Sequence, residues 1–507
     1  MPSSFFSYQR LGYQHAALLL ALLFAALYPF FQYMFDVDAV GYISVTRHYA
    51  AGEWMDAING YWSPLNSWLM VPFAKIGLPV VTCFKVANLF FGIGILYQTE
   101  QLLSHFSFAP KQKIGILITA TIIVLYFAYF EIASDILFVW LFFIYTNWVL
   151  KRPLDTSLKA NLGAGIIAAF VFFSKTYGFV FFIIHFSFLH LIWFPFIQKK
   201  GMHVKNYIAG ILSFFLLVAP WVYLLWHKYH MLTFGYAGKL NLSWILVGGH
   251  PDFTSYFYDP AYKSATSIWV DPLYGQKEIY TPLQSKALIL RECKVILYNI
   301  KIMFRDALGI SFLWPVLLVG IWFKRKTNTT FYQLGWLMLL FPLVYLLVVM
   351  EERYMWPIWI PLLVAAAYLV SIFNKGKKYV WWLVFFSFCI GPVVKMIGQV
   401  GKDKAASGLA NYIKTNNIQG PFTGVDVDEE THKAAFLTGN QYYALAHGYG
   451  SFEQLETQSR LKGIKVICVA YKNQDSVKAF TNTAFFKLHQ PEVVQVDGMK
   501  MWLVKLR

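Results

Sequence analysis

The apolar run His15–Phe35 (HAALLLALLFAALYPFFQYMF) is followed directly by Asp36-Val37-Asp38, and this junction decides how the chain is interpreted. A helix needs about 20 apolar residues to cross roughly 30 Å of hydrocarbon, so the run predicts a membrane span. No small-residue cleavage site follows it, which favours a retained span over a signal peptide. Carboxylates at the edge of a bilayer are costly to desolvate unless they have a partner or a task. Asp36 and Asp38 are therefore the first candidate functional residues.

The composition extends this interpretation to the whole chain. Of the 507 residues, 58% are hydrophobic and 14% charged, against roughly 25% charged in a soluble domain, which excludes most soluble enzymes. The fold class is predicted as mainly α, a polytopic helical membrane protein with about 11 transmembrane helices. These lie near 15–35, 79–100, 114–130, 135–150, 160–174, 177–197, 206–227, 306–323, 331–350, 355–373 and 379–397.

The charges are distributed unevenly between the predicted loops. If the N-terminus is inside, the short outer loops carry only the cations Lys175 and Arg353. All acidic residues except Asp155 and Glu100 then lie on the outer side or at its membrane edge. The formal net charge of +17 is thus explained by topology and predicts no nucleic-acid partner. The short inner loops carry Lys111, Lys113, Lys151, Arg152, Lys159, Lys199, Lys200, Lys205, Lys324, Arg325, Lys326, Lys375, Lys377 and Lys378.

Residues 398–507 have a different character from the rest. Helix-like and strand-like stretches alternate there, and Asp497-Gly498 is a strong hairpin signal. We predict a soluble α/β domain outside the membrane, after a transmembrane domain 1–397 with long outer loops at 36–78 and 228–305. The predicted strands are Phe422–Val425, Val466–Tyr471 and Val493–Leu506, and the predicted helices are 403–417, 429–438, 452–462 and 475–485.

Several short signals for other chemistry are missing from the sequence. The four cysteines have no paired spacing, so neither a disulfide framework nor a thiolate metal site is predicted. No GxxxxGK[ST] phosphate loop is present. The outward histidines are not spaced as metal ligands, and we therefore assign no metal.

Each candidate site residue has a structural alternative. Asp36 and Asp38 could form a helix-terminus pair held by Arg47 or by solvent instead of working as catalytic carboxylates. Lys175 could bind a lipid phosphate at the outer surface, or its side chain could snorkel toward water. Arg353 could bind the same phosphate, or pair with one of its acidic neighbours Glu351 and Glu352.

A second acidic pair lies at a predicted outer turn. Glu131 and Asp135 are four residues apart, so both could lie on one face and hold a divalent cation or orient a basic partner. Alternatively they cap two helices, since negative charge is favoured at a helix N-terminus. Arg291, Lys294, Lys301 and Arg305 lead into the predicted span 306–323 and are typical of an amphipathic surface helix that contacts anionic lipid headgroups.

The first outer loop resembles a known family. Asp38-Ala39-Val40-Gly41-Tyr42, followed by Trp62-Ser63-Pro64-Leu65, is similar to the first outer loop of the GT-C membrane glycosyltransferases. The similar branch contains the protein O-mannosyltransferases and the lipid A aminoarabinose transferases. Ala39 stands where the family often has Glu, and Asp36 is the alternative source of a second carboxylate. Further similar segments are Arg47 with Gly52 and Trp54, Glu131–Phe138, Ser174–Tyr177, and Glu351–Tyr354 followed by Pro357 and Pro361.

The resemblance implies a function as well as a fold. It implies an inverting glycosyltransferase that moves a sugar from a polyprenyl-phosphate carrier to a glycan, lipid or protein acceptor on the outer face. Asp38 is then the expected general base, with Asp36 as the alternative, and Lys175 and Arg353 bind the lipid phosphate. Glu131 and Asp135 support the site. The lipid-linked donor is the cosubstrate, no other cofactor is implied, and dependence on a divalent metal stays open.

The expected location is a bacterial inner membrane with the C-terminal domain in the periplasm, and membrane lipids are expected partners. Two other functions fit part of the pattern. A flippase or transporter of a lipid-linked sugar would share the outward aromatic and basic surface, but transporters place ionisable residues near the midplane. Here Lys85 is the only clear mid-span charge and the acidic residues lie at the predicted outer edge, which argues against a transporter. A non-catalytic glycan-assembly protein would tolerate loss of Asp38. Sugar and acceptor depend on cavity shape and are not readable.

Overall fold

The computed structural model describes residues 12–130, 132–200, 203–249, 255–275, 278–324, 328–373, 378–446, 448–471 and 474–506. Most of the chain up to residue 398 is helical, and a π-helical segment, Leu189–Ile197, continues α9. The helices are α1 (Tyr13–Phe31), α2 (Val37–Ala51), α3 (Trp54–Ala57), α4 (Pro64–Lys75), α5 (Val80–Leu103), α6 (Pro110–Phe130), α7 (Asp135–Lys151), α8 (Leu158–Ser174), α9 (Tyr177–Phe188), α10 (Val204–Tyr229), α11 (Ala237–Val247), α12 (Lys286–Ile310), α13 (Trp314–Lys324), α14 (Thr329–Leu340), α15 (Trp356–Phe373) and α16 (Lys378–Gly398).

The helices confirm a mainly helical membrane architecture. Among the described residues, eight helices are long and apolar enough to cross a membrane, or nine if the bent pair α12–α13 forms one span. The predicted spans 135–150 and 160–174 correspond to α7 and α8, which have 17 residues each. The count of eleven, which includes both of them, stays a prediction.

The predicted span 306–323 is wrong as a single helix. α12 continues to Ile310, α13 begins at Trp314, and their axes differ by 96°. Ser311 between them is extended, with φ −160°. Pro315 explains the break, because proline lacks the N–H that would bond the carbonyl of Ser311 and its ring clashes there. The basic residues Arg291, Lys294, Lys301 and Arg305 lie exposed along α12.

The first outer loop folds into short helices that lie directly against the membrane helices. α2 begins one residue after Asp36. Gly52 caps its C-terminus, with a φ of 80° in the left-handed conformation that glycine favours. α2 packs on α4, where Ser67 Oγ donates to the carbonyl of Tyr42 at 3.0 Å. A side chain at Gly41 would lie 2.4 Å from the Trp62 ring, so this crossing requires glycine.

The second long loop is fixed on the first by buried polar contacts. Asn59 Nδ2 donates to the carbonyl of Val270 at 2.7 Å, and Trp62 Nε1 donates to that of Trp269 at 3.0 Å. Lys228 at the end of α10 pairs with the fully buried Asp271 at 3.0 Å. Burial raises the pKa of Asp271, and Lys228 opposes that shift. The two loops therefore form one packed layer.

The C-terminal residues form a four-stranded sheet with helices packed against it, and its strands in spatial order are β2 (Phe422–Val425), β4 (Val466–Val469), β6 (Met499–Lys505) and β5 (Glu492–Val496). β2 and β4 are parallel, and the β5–β6 hairpin turns at Asp497 and Gly498, whose φ values are both positive. The observed elements agree with the predicted α/β pattern, whereas the domain boundary at 397 stays a prediction. They are α17 (Lys404–Thr415), β2 (Phe422–Val425), α18 (Asp428–Thr438), α19 (Phe452–Leu461), β4 (Val466–Val469), α20 (Gln474–Thr481), α21 (Ala484–His489), β5 (Glu492–Val496) and β6 (Met499–Lys505).

A short two-stranded ladder joins the second outer loop to this C-terminal segment. β1 (Phe257–Tyr258) lies in the loop and pairs antiparallel with β3 (Ala444–Leu445). Main-chain pairing thus connects parts of the chain that are far apart in sequence.

Candidate active site

The two candidate carboxylates lie at the start of α2. Asp36 is the N-cap, and its Oδ1 accepts a hydrogen bond from the amide of Ala39 at 3.1 Å. Asp38 lies in the first turn of the helix, with a third of its side chain exposed. The helix-terminus alternative is thus correct for the backbone role of Asp36. Of the two predicted partners of this pair, Arg47 and solvent, Arg47 is wrong. Its guanidinium instead lies 4.4 Å from the ring centre of Phe436.

Arg353 is the cation at the centre of the site. It lies in a short 3-10 helix, Glu352–Met355, that leads into α15. One terminal nitrogen is 2.8 Å from Asp38 Oδ2, and the other is 3.9 Å from both Asp36 Oδ2 and Asp135 Oδ2. Its Nε donates to Glu351 at 2.7 Å, which realises the predicted pairing with an acidic neighbour. The planar fork of arginine suits such multiple contacts with carboxylates.

Lys175 and Asp135 complete the cluster. Lys175 follows α8, and its Nζ donates to Asp135, the first residue of α7. The ammonium also lies 4.3 Å from the ring centre of Tyr354, so the side chain points into the cluster and does not snorkel. Asp135 therefore orients a basic partner and, as the first residue of α7, also places negative charge at that helix N-terminus, whereas Glu131 lies outside the described residues.

The structure thus brings together five of the six predicted site residues: Asp36 and Asp38 at the start of α2, Asp135 at the start of α7, Lys175 after α8 and Arg353 before α15. Among the described residues of this cluster, two cations face the four carboxylates of Asp36, Asp38, Asp135 and Glu351. Both cations are already engaged by carboxylates. An incoming phosphate would have to compete with these carboxylates for Arg353 or Lys175.

Lys85 braces the loop that carries Asp36. Its Nζ donates to the carbonyls of Phe31, at 2.9 Å, and of Gln32. The last carbonyls of a helix have no partner within it, so this cation satisfies groups at the end of α1. Lys85 lies in the second turn of α5, so its predicted mid-span position is wrong. A lone charge in an apolar segment was the sequence signal that could have identified this role.

The two neighbouring glutamates of the predicted motif separate. Glu351 joins Arg353, whereas Glu352 accepts from Tyr126 Oη at 2.7 Å and pairs with Lys395 of α16. Glu352 therefore links α6, α15 and α16.

One group among the described residues has the donor types of a metal site. The nearest ligand atoms of His48, Glu53 and Asp56 lie within 4.8 Å of one another. His48 Nδ1 and Glu53 Oε2 are 2.5 Å apart, so these two already satisfy each other by a hydrogen bond. That bond ties the end of α2 to the start of α3, and the prediction that no metal is held stays a prediction.

An apolar cleft of about 300 Å³ lies elsewhere, beside the C-terminal half of α10. It shares no residue with the charged cluster. Its walls are Phe215, Ala219, Val222, Tyr223, Trp226, Leu232 and Phe234.

Comparison with known proteins identifies similar folds but no similar sequences. No family model and no curated protein matches the chain. The structure of ArnT from Cupriavidus metallidurans in the apo state has a TM-score of 0.55 at 12% identity, covering 97% of this chain and 98% of ArnT. The same protein bound to undecaprenyl phosphate has a TM-score of 0.57 at 12% identity, with 97% of each chain covered.

A third similar structure comes from an archaeon. The Archaeoglobus fulgidus oligosaccharyltransferase, in complex with Zn and sulfate, has a TM-score of 0.53 at 10% identity, covering 90% of this chain and 68% of that one. The predicted resemblance to GT-C membrane glycosyltransferases is therefore confirmed for the fold.

Proposed function

We propose that this chain is an inverting membrane glycosyltransferase that moves a sugar from a polyprenyl-phosphate carrier to a glycan, lipid or protein acceptor. The observation that carries the proposal is the ion pair of Arg353 with Asp38, 2.8 Å apart, beside the Lys175–Asp135 pair. A base for the acceptor and cations for the leaving phosphate thus lie side by side. The shared fold of ArnT, solved with undecaprenyl phosphate bound, supports this choice of donor.

The chemistry follows from these two kinds of group. The acceptor hydroxyl attacks the anomeric carbon while the bond from that carbon to the phosphate oxygen breaks. The bonding pair leaves with the lipid phosphate, and Asp38 takes the hydroxyl proton. A single displacement inverts the anomeric centre. Arg353 and Lys175 stabilise the charge that grows on the leaving phosphate.

Through its ion pair with Asp38, Arg353 couples donor binding to the availability of the general base. In the present arrangement its guanidinium neutralises Asp38. A donor phosphate that draws Arg353 toward itself weakens that contact and leaves the Asp38 carboxylate able to accept a proton. Asp36, held by its capping bond to Ala39, is less free to move and is the alternative base.

The finer architecture belongs to the same proposal. Eleven spans, with 1–397 as the transmembrane domain, place the charged cluster and the C-terminal domain 398–507 on the extracytoplasmic side. The host membrane is proposed to be a bacterial inner membrane, with the C-terminal domain in the periplasm. The distribution of Lys and Arg over the short loops supports this sidedness.

The proposal is tested by replacing Asp38 with Asn. We expect D38N to insert and fold but to lose about 10²-fold to 10⁴-fold in transfer rate, because general base catalysis contributes that much. The measurement is sugar transfer from a panel of undecaprenyl-phosphate sugars by the protein in liposomes. D36N is run in parallel to identify which carboxylate is the base.

The matched control is D155N, which removes a carboxylate that pairs with Lys200 at 2.6 Å outside the cluster. It should retain wild-type transfer. Wild-type transfer by D38N would exclude the base assignment. Translocation of donor without transfer would instead identify a flippase, and a wild-type protein that neither transfers nor translocates donor would favour a non-catalytic assembly role.

A further inference from the structure

The C-terminal segment holds the residue that immediately precedes Asp36. The amide of Phe35 donates to Asp403 Oδ2 at 3.0 Å, across 368 positions of sequence. Nearby, the amide of Gly401 donates to the carbonyl of Phe30 at 3.1 Å. Two main-chain groups at the end of α1 are thus bound by the residues that lead into α17.

Asp403 is itself held in a specific orientation. Its φ of 65° is the left-handed conformation, and its side chain makes no capping bond to α17 although it occupies the N-cap position. Its Oδ1 instead accepts from the fully buried ammonium of Lys433 at 2.8 Å, and Lys433 also donates to Glu429 at 2.5 Å. Burial alone would lower the pKa of Lys433, but Asp403 and Glu429 raise it, so the ammonium stays charged.

The Phe35 side chain is enclosed by the same segment. Its ring centre lies 5.4 Å from Lys433 Nζ and 6.2 Å from the ring of Phe436, both residues of α18. On α2, Arg47 lies 4.4 Å from the ring centre of Phe436. α18 therefore contacts both Phe35 and the helix whose N-terminus carries the carboxylates.

We propose that Asp403 is a positioning residue of the transfer reaction: through the Phe35 amide, it fixes the N-terminus of α2 and hence the place of Asp36 and Asp38 relative to Arg353. Lys85 holds the other end of the same loop through the Phe31 carbonyl. The loop is thus fixed from a membrane helix on one side and from the C-terminal segment on the other. This inference rests on the proposed function.

The test compares three variants of the full chain in liposomes. D403A removes the acceptor of the Phe35 amide, and we expect kcat to fall at least about tenfold while the donor KM changes less than about twofold, since small misplacements of catalytic groups have such effects. The double variant D403N/K433M keeps an amide acceptor for Phe35 without leaving a buried ammonium unpaired. It should retain kcat within about threefold of the wild type.

D259A is the matched control. Asp259 pairs with Lys462 at 2.7 Å and also connects the outer loop to the C-terminal segment, but through exposed side chains. It should leave kcat unchanged. An equal loss in D259A and D403A would show that docking in general matters and would overturn the specific role of Asp403. Unchanged kcat in D403A would overturn it as well.

Hydrogen exchange of a peptide spanning 33–37 gives a readout that needs no substrate. We expect faster exchange at the Phe35 amide in D403A and wild-type exchange in D403N/K433M and D259A. Unchanged exchange in D403A would overturn the positioning contact itself. A wild-type chain without any transfer activity would instead overturn the proposed function, and with it the positioning role of Asp403 in transfer.

Discussion

At the scale of single residues, Arg353 has the most consequential position in this molecule. Its fork contacts Asp38 and Glu351 and lies 3.9 Å from Asp36 and Asp135. Together with Lys175, which pairs with Asp135, it allows four carboxylates to share one site. In the proposed reaction the same guanidinium has to exchange a carboxylate for a phosphate, so its loss should affect donor binding most.

We expect R353A to weaken binding of undecaprenyl phosphate by roughly tenfold to a hundredfold, because a hydrogen bond to a charged group contributes about 1.5–3 kcal/mol. R353K should recover only part of the donor affinity, since lysine keeps the charge but lacks the planar fork of arginine. Acceptor binding should change less. Equilibrium binding of radiolabelled undecaprenyl phosphate in detergent measures the effect.

The control for this prediction is R305A. Arg305 is exposed on α12 and pairs with Asp306 at 2.8 Å. Its removal should leave donor affinity unchanged. An R353A protein with wild-type donor affinity would contradict a phosphate role for Arg353.

Sequence alone identified much of this cluster but not its supports. Asp38, Lys175 and Arg353 stand out because each is a charge beside an apolar run on the predicted outer side. Asp403 carries no such signal, since it lies in a polar segment and its contact with Phe35 spans 368 positions. Contacts of that range depend on how the domains dock, which local patterns do not encode.

At the scale of elements, sequence patterns predicted correctly those elements that neighbouring residues determine. The strands of the C-terminal sheet follow from short apolar runs such as Val466–Val469, and the hairpin follows from Asp497-Gly498. The prediction of one continuous helix at 306–323 was wrong because hydropathy does not register the missing amide hydrogen of Pro315. The bend at 311–313 follows from that missing hydrogen-bond donor and not from any loss of apolar character.

A buried ion pair anchors the second outer loop at the end of α10, and its lysine also donates to the carbonyl of Ile58 in the first loop. Lys228 and Asp271 have 3% and 0% of their side chains exposed, and Tyr229 Oη also donates to Asp271 at 2.6 Å. We expect K228M to destabilise the protein by about 3–5 kcal/mol, because it leaves an uncompensated buried carboxylate. The double variant K228M/D271N should recover part of that loss. Thermal unfolding in detergent measures both.

K462M is the comparison for this pair. Lys462 and Asp259 are both substantially exposed, so its effect should stay within about 1 kcal/mol. Equal destabilisation by K228M and K462M would show that burial does not set the strength of the contact.

At the scale of the whole molecule, a buried histidine joins the second outer loop to the C-terminal segment. His432 of α18 shares a hydrogen bond of 2.8 Å with Ser267 and stacks on Tyr442. Burial, with a smaller contribution from the neighbouring Lys433, lowers the pKa of His432 to about 3. The imidazole is thus neutral in the folded protein at neutral pH.

This histidine should make stability depend on pH. The unfolded chain takes up a proton near pH 6.5, whereas folded His432 does not do so until about pH 3. Its contribution is therefore complete above about pH 6.5 and is lost as the pH falls toward 3, by up to about 1.4 kcal/mol per pH unit. We expect H432Q to melt with a weaker dependence on acid than the wild type.

Melting temperatures at several pH values between 7.5 and 4.5 measure the difference. H227Q, which replaces an exposed histidine of α10, should keep the wild-type dependence. Parallel curves for wild type and H432Q would contradict the prediction.

The β1–β3 ladder has a consequence for how this architecture can diversify. Phe257 pairs with Leu445 and Tyr258 pairs with Ala444 through main-chain hydrogen bonds. The C-terminal segment and the loop between α11 and α12 thus satisfy each other's backbone groups. A chimaera that grafts only one of them from a homologue would leave an orphaned strand edge on the other. We therefore expect the loop between α11 and α12 and the C-terminal segment to be exchanged together between homologues, although α12 to α16 separate them in the sequence.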